Sequence, residues 1–119
     1  MNSTPVPITD LSNAQRLVKQ HGPDLRFCHA WKKWLVWDGR RWKLDDTGEV
    51  MRRAKATARS IYQEATAASN ARDRMHLENW AVRSESASRL AAMVKLAESE
   101  ADIPIVPEEL DSNPWTLNV

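Results

Sequence analysis

The stretch WKKWLVWDGRRW, residues 31–42, holds four of the chain's six tryptophans and four of its basic residues. At its centre Asp38-Gly39 lies between WLVW and RRWKL, and a type I′ turn needs two successive residues that tolerate positive φ, as Asp and Gly do. The stretch is therefore predicted to be a β-hairpin. A two-residue loop would set Trp37 opposite Arg40, whereas a four-residue loop would set Trp37 opposite Trp42. Parity is the same in both: Leu35, Trp37, Trp42 and Leu44 share one face, and Trp34, Val36, Arg41 and Lys43 share the other. The first face is wholly apolar and is predicted to be core. The second mixes two apolar residues with two cations and suits a partly covered sheet or one that faces nucleic acid.

Around the hairpin the pattern is mostly helical. Residues 1–8, with Pro5 and Pro7, are predicted to be a flexible tail. Thr9 can cap a helix whose apolar residues Leu11, Ala14, Leu17 and Val18 recur on one side, ended by Gly22 and Pro23. Leu25 and Phe27 then alternate with Arg26 and Cys28, the two-residue period of a short strand. After DDTG, Asp46 or Thr47 can cap a second helix. Its predicted stripe is Val50, Met51, Ala54, Ala58, Ile61, Tyr62 and Ala65, with Asp45, Asp46 and Glu49 complementing its positive start. A third helix is expected over about 72–83, packing Met75, Leu77, Trp80 and Ala81. A fourth follows Ser84 or Ser86 and carries Leu90, Met93, Val94 and Ala97. The last segment, IPIVPEELDSNPWTLNV, shows no further periodic element beyond a strand at WTLNV. The prediction is an α+β, mostly helical fold, with a tryptophan-rich hairpin or small antiparallel sheet packed against about four helices.

A length of 119 residues suits one domain with a modest core. No apolar run approaches the roughly 18 residues that span a bilayer, and the start lacks the basic and apolar regions of a signal peptide. A cytoplasmic protein without a membrane partner is expected. Cys28 is the only cysteine, so an internal disulfide is impossible, in keeping with a reducing compartment. The formal net charge of +1 conceals a polarity along the chain. Ten basic and four acidic residues lie between Arg26 and Tyr62, while six acidic and no Lys or Arg residues follow from Glu98 to the end. A basic working surface and an acidic end are implied.

The chemistry of the common catalytic motifs is missing. Gly22, Gly39 and Gly48 are scattered, and none precedes Lys-Ser or Lys-Thr, so neither a P-loop nor a dinucleotide fingerprint is present. His21, His29 and His76 stand apart, and Cys28-His29 lacks the spaced partners of a zinc site. No metal, cofactor or catalytic residue is predicted. Asp45 and Asp46 could hold a metal for nucleotidyl transfer, but adjacent carboxylates at a helix start more often complement its dipole. What remains is basic: Lys32, Lys33, Arg40, Arg41 and Lys43 on the hairpin, and Arg52, Arg53, Lys55 and Arg59 on the second helix. Converging, they would contact several DNA phosphates. Trp31 and Trp34 are candidates for stacking on bases. The opposing reading makes these cations a solvated helix face and a guarded strand edge, and the indoles core.

Four motifs in order, TD..NA.RL, W..WDG..W, S.S before the fourth helix and LD.NPW.LN, resemble the domain just before the superfamily-3 helicase in phage and plasmid primase–helicases, a family that includes the poxvirus replicative enzyme. The resemblance covers about residues 9–119, expected to be a single accessory domain. It implies a non-enzymatic collar or linker in DNA replication, a fragment or a natural minimal protein that ends before the helicase motor. The partners it implies are DNA, the helicase motor and primase domains, and further copies of itself. Ser84, Ser86 and Ser88 are read as capping and small-residue packing. The alternative function is a protein–protein or oligomerisation module with no DNA contact. An active primase would require Asp45 and Asp46.

Overall fold

The computed structural model describes residues 8–111 and 117–118. In chain order the elements are α1 (Asp10–His21), a 3₁₀ turn (Gly22–Asp24), β1 (Leu25–Cys28), β2 (Lys33–Trp37) and β3 (Trp42–Leu44). They continue with α2 (Glu49–Thr66), α3 (Ala71–Ser84), α4 (Ala87–Ala97), α5 (Pro107–Asp111) and β4 (Leu117–Asn118). The class is α+β and mostly helical. Strands β1, β2 and β3 form an antiparallel meander, and β4 adds to β3 in parallel.

Capping chemistry sets the helix starts. Thr9 and Ser12 make a reciprocal capping box at α1, each side chain accepting the other's backbone N–H at 3.0 Å. Asn70 caps α3 and Ser86 caps α4. At α2 the expected caps, Asp46 and Thr47, are not used. Gly48 adopts φ +81°, which turns the first helical N–H groups back toward Asp45. The Asp45 carboxylate accepts from Glu49 N–H at 2.9 Å and Val50 N–H at 3.0 Å, satisfying donors that a helix start leaves open.

The hairpin takes the register that sets Trp37 opposite Trp42. Its turn differs from type I′: Gly39 has φ +97° while Asp38 does not enter the left-handed region. Asp38 N–H donates to Arg41 O at 3.1 Å. The Asp38 carboxylate accepts in return from the N–H groups of Arg40 (2.8 Å) and Arg41 (2.9 Å), which hold it below the usual carboxylate range.

The two sheet faces reverse the predicted roles. Leu25, Phe27, Trp34 and Val36, on the face expected to be open, pack with Ala14, Leu17, Val50, Ala54, Ala58, Leu90, Met93 and Ala97 in the largest core cluster. The face expected to be the main core carries a smaller cluster: buried Cys28, Leu35 and Leu110, fringed by Trp42, Leu44 and Ile105. The cause is where the helices lie. α1, α2 and α4 occupy the Trp34 side, whereas among the described residues the other side meets the C-terminal segment, including α5, a single turn that the sequence reading missed. That turn starts with Pro107, suited to a first helical position, and inserts Leu110. Segment 103–105 runs along the free edge of β1, with Phe27 N–H donating to Ile103 O and Ile105 N–H to Phe27 O.

A third cluster joins α2 to α3 through Ile61, Ala65, Leu77, Trp80 and Ala81. Ile8 packs against it, so residue 8 belongs to the domain and not to the predicted tail; residues 1–7 lie outside the described residues. Three expected core residues are exposed, Leu11, Tyr62 and Met75, so the apolar stripes are narrower than predicted, with Met75 63% and Tyr62 37% accessible. Thr57, which the predicted stripe did not include, is buried on α2, on the margin of the stripe away from Tyr62.

Candidate nucleic-acid interface

The nine candidate cations do not form one cluster. Lys32 and Lys33 lie at the β1–β2 turn, where Lys32 adopts φ 55°. Arg40 and Arg41 lie at the opposite end of β2, roughly 15 Å away at about 3.3 Å per strand residue. Lys43 is on β3, opposite Val36. Between the hairpin and the start of α2 is a cleft of about 370 Å³, lined by Lys43 and Arg53 but also by Asp38, Asp45, Asp46 and Glu49. Acidic groups therefore interrupt the basic surface where the two elements meet.

Ion pairing divides the nine further. Arg53 bridges α2 to the end of α1: it donates to Glu49 at 2.7 Å, to Asp24 at 3.2 Å and contacts His21 Nδ1 at 3.2 Å. Arg52 donates to Glu49 at 2.9 Å and to the carbonyl and hydroxyl oxygens of Thr47. These bonds, Arg53's foremost, hold the Glu49 carboxyl below its ordinary range and raise Arg53 above its own. Burial first, then the Arg53 charge, lowers His21. Arg41 has a looser contact with Asp38 at 3.9 Å. Lys32, Lys33, Arg40, Lys43, Lys55 and Arg59 are exposed, and among the described residues none has a carboxylate within ion-pair distance. Lys55 and Arg59 point away from Arg53 and line a groove of about 200 Å³ with Glu85 and Leu90.

The two stacking candidates also part. Trp31 is 36% accessible, beside Lys32 and Lys33 at the turn. Trp34 packs on the main core and edge-on to Phe27 at 5.2 Å between centroids. Its position inside the sheet–helix layer gives it a packing role and corrects the expectation that it faces a ligand. On the other side of the sheet, Trp37 and Trp42 meet edge-on at 5.4 Å, and the Arg26 guanidinium lies 4.9 Å from the Trp42 ring centroid.

No group of three or more His, Cys, Asp or Glu residues among the described residues is placed to hold a metal ion. Asp45 spends both carboxylate oxygens on the α2 backbone, at the helix start where the sequence favoured carboxylates complementing the dipole over holding a metal.

A further basic pair, which sequence reasoning missed, lies at the α3–α4 junction. Arg83 and Arg89 place their guanidinium carbons 5.5 and 4.9 Å from the centroid of Trp80. Trp80 is buried and donates its Nε1–H to Asn13 Oδ1 at 3.0 Å, while Asn13 Nδ2–H donates to Ser84 Oγ at 3.0 Å. The three-residue spacing of Trp80 and Arg83 on a helix was a readable signal; the approach of Arg89 was not. Arg16, ion-paired to Glu64 at 2.7 Å, also reaches Asn13 and ties α1 to α2.

Residues 14–119 match the family model described as D5 N terminal like. Neither a curated protein nor a solved structure matches the chain.

Proposed function

Because the chain belongs to the D5 N-terminal-like family, the domain that precedes the superfamily-3 helicase in primase–helicases, we propose that it is a non-catalytic accessory domain of such a replication protein, contacting DNA and coupling it to the helicase ring. The observation that supports DNA contact is the set of exposed cations without carboxylate partners among the described residues: Lys32, Lys33, Arg40, Lys43, Lys55 and Arg59. Two modest contact areas follow, one along the hairpin and one on α2, each able to neutralise a few phosphates. Trp31 offers an indole face to an unpaired base beside Lys32 and Lys33. Arg52 and Arg53 leave the contact set, because their donors are engaged in holding α2 to its cap and to α1.

The test is fluorescence anisotropy of labelled single-stranded and duplex oligonucleotides at two salt concentrations. Lys55→Glu with Arg59→Glu is expected to weaken binding about tenfold or more and to flatten the salt dependence by roughly one to two units of log–log slope. Binding that is unaltered by this reversal and by Lys32→Glu with Lys33→Glu removes these cations from the contact set, and a wild-type chain that binds neither oligonucleotide removes DNA contact from the proposal.

A second reading, a protein–protein or oligomerisation module without DNA contact, is favoured by Met75 and Val82. They stand exposed seven residues apart on α3, at 63% and 60% accessibility, an apolar spacing suited to a helical partner. Sedimentation of Met75→Ser with Val82→Ser separates the readings: a loss of self-association, in a protein whose wild type binds neither oligonucleotide, supports the second.

A further inference from the structure

We infer that Arg83 and Arg89, held on the indole of Trp80 at the α3–α4 junction, form a phosphate-binding point for a DNA strand, outside both contact areas proposed above. The inference rests on the reading of the domain as a DNA-contacting one and adds a location to it. Its starting point is the arrangement of like charges. Two guanidinium groups lie over one ring, within about 10 Å of each other, each inside the range in which a ring quadrupole attracts a cation. Their mutual repulsion is relieved on one side only: Arg89 pairs with Asp10 at 3.1 Å, whereas Arg83 has no carboxylate within ion-pair distance among the described residues.

The contact leaves donors available. A guanidinium carries five N–H donors in a planar fork, and a contact through its central carbon with an indole ring uses none of them as a hydrogen bond, which leaves them for phosphate oxygens. The indole underneath is fixed: Trp80 Nε1–H is anchored to Asn13, which Arg16 and Ser84 hold in turn. Arg83 is exposed and Arg89 is about two-fifths accessible at its side chain, so both reach solvent from a rigid base. Polar groups beside them complete the surface. Ser86 Oγ, 3.4 Å from Ser88 Oγ, accepts from Arg89 N–H, and among the described residues Asp10 is the one acidic group in contact with either arginine. A strand phosphate placed against Arg83 would supply the missing counter-charge.

The experiment uses the full chain and a fluorescein-labelled single strand of about 20 nucleotides, titrated at several salt concentrations. Arg83→Gln is expected to weaken binding about three- to tenfold and to reduce the log–log salt slope by roughly one, with Arg83→Lys recovering most of the slope. Arg83→Gln combined with Arg89→Gln is expected to lose more, and a thermal melt of each variant shows that the fold is kept. An Arg83→Gln protein that melts and binds like the wild type, while Lys55→Glu with Arg59→Glu still weakens binding, overturns this inference and leaves the DNA reading standing. Affinity lost without a change in salt slope assigns Arg83 to packing alone and overturns it too. A wild-type chain that binds no oligonucleotide overturns both.

Discussion

The hairpin and the α1–α3 seam both set tryptophan beside arginine, and they use the pairing in opposite ways. In the hairpin four indoles are dispersed. Trp34 faces the helices, Trp37 and Trp42 sit half-buried on the other side of the sheet, and Trp31 stands at a turn. In the seam a lone Trp80 is almost fully enclosed, its N–H is satisfied, and two arginines lie over its ring. Trp34 Nε1 is buried with no hydrogen-bond partner among the described residues, so even the better-packed hairpin indole lacks there what Asn13 gives Trp80. Density of tryptophan along the chain is therefore a poor guide to where an indole matters most, because a strand sends successive side chains to opposite faces.

The largest expected effect tests that contrast directly. Trp80→Ala should cost about 3 to 5 kcal/mol, the range for a buried aromatic that leaves a cavity, and Trp37→Ala distinctly less. Urea unfolding followed by circular dichroism measures both; equal losses would erase the distinction. Next comes Asn13→Ala, expected to cost about 1 to 3 kcal/mol because it strands the Trp80 N–H and the Ser84 hydroxyl in the interior. Asn13→Asp should not rescue it, since a carboxylate cannot donate to Ser84.

Smaller effects come from the charged joint between α1 and α2. His21 and Glu49 both have pKa values below their ordinary 6.5 and 4.5. The unfolded chain then binds more protons than the folded one, so stability falls as pH is lowered, first from about 6.5 through His21 and again below about 4.5 through Glu49. His21→Asn should flatten the upper window and leave the lower one. Urea midpoints that run parallel for the two proteins between about pH 5 and 7 would remove His21 from this account. Smallest of all is Trp31→Ala, expected to alter stability by about 0.5 kcal/mol while weakening oligonucleotide binding. A large loss of stability there would make the turn indole structural and narrow the contrast with Trp80.

Much of the fold could be read from local signals. Thr9 and Ser86 cap the helices they precede, the strand at Leu25–Cys28 and the Trp37–Trp42 pairing lie among the readings the residues allowed, and α3 begins within a residue of its expected start. Other features had no local signature. Asp45 caps α2 from beyond a left-handed glycine, which no adjacent-cap rule anticipates. The α5 turn is too short to show a period. Met75 lies on the side of α3 opposite Leu77, Trp80 and Ala81, the residues that pack against α2.

By itself the sequence determined, outside the short α5 turn, where the helices and strands lie and which of their residues share a side, because those depend on contacts between residues two to four apart. It also determined that the chain carries a basic middle and an acidic end. Only the tertiary structure decided which side of the sheet faces inward, since both sides are apolar enough to be covered and the choice falls to helices distant in the chain. The same holds for charge. Arg53 meets Asp24 across 29 residues, Arg16 meets Glu64 across 48 and Arg89 meets Asp10 across 79, so which cations remain free for a partner is settled by packing and not by their spacing.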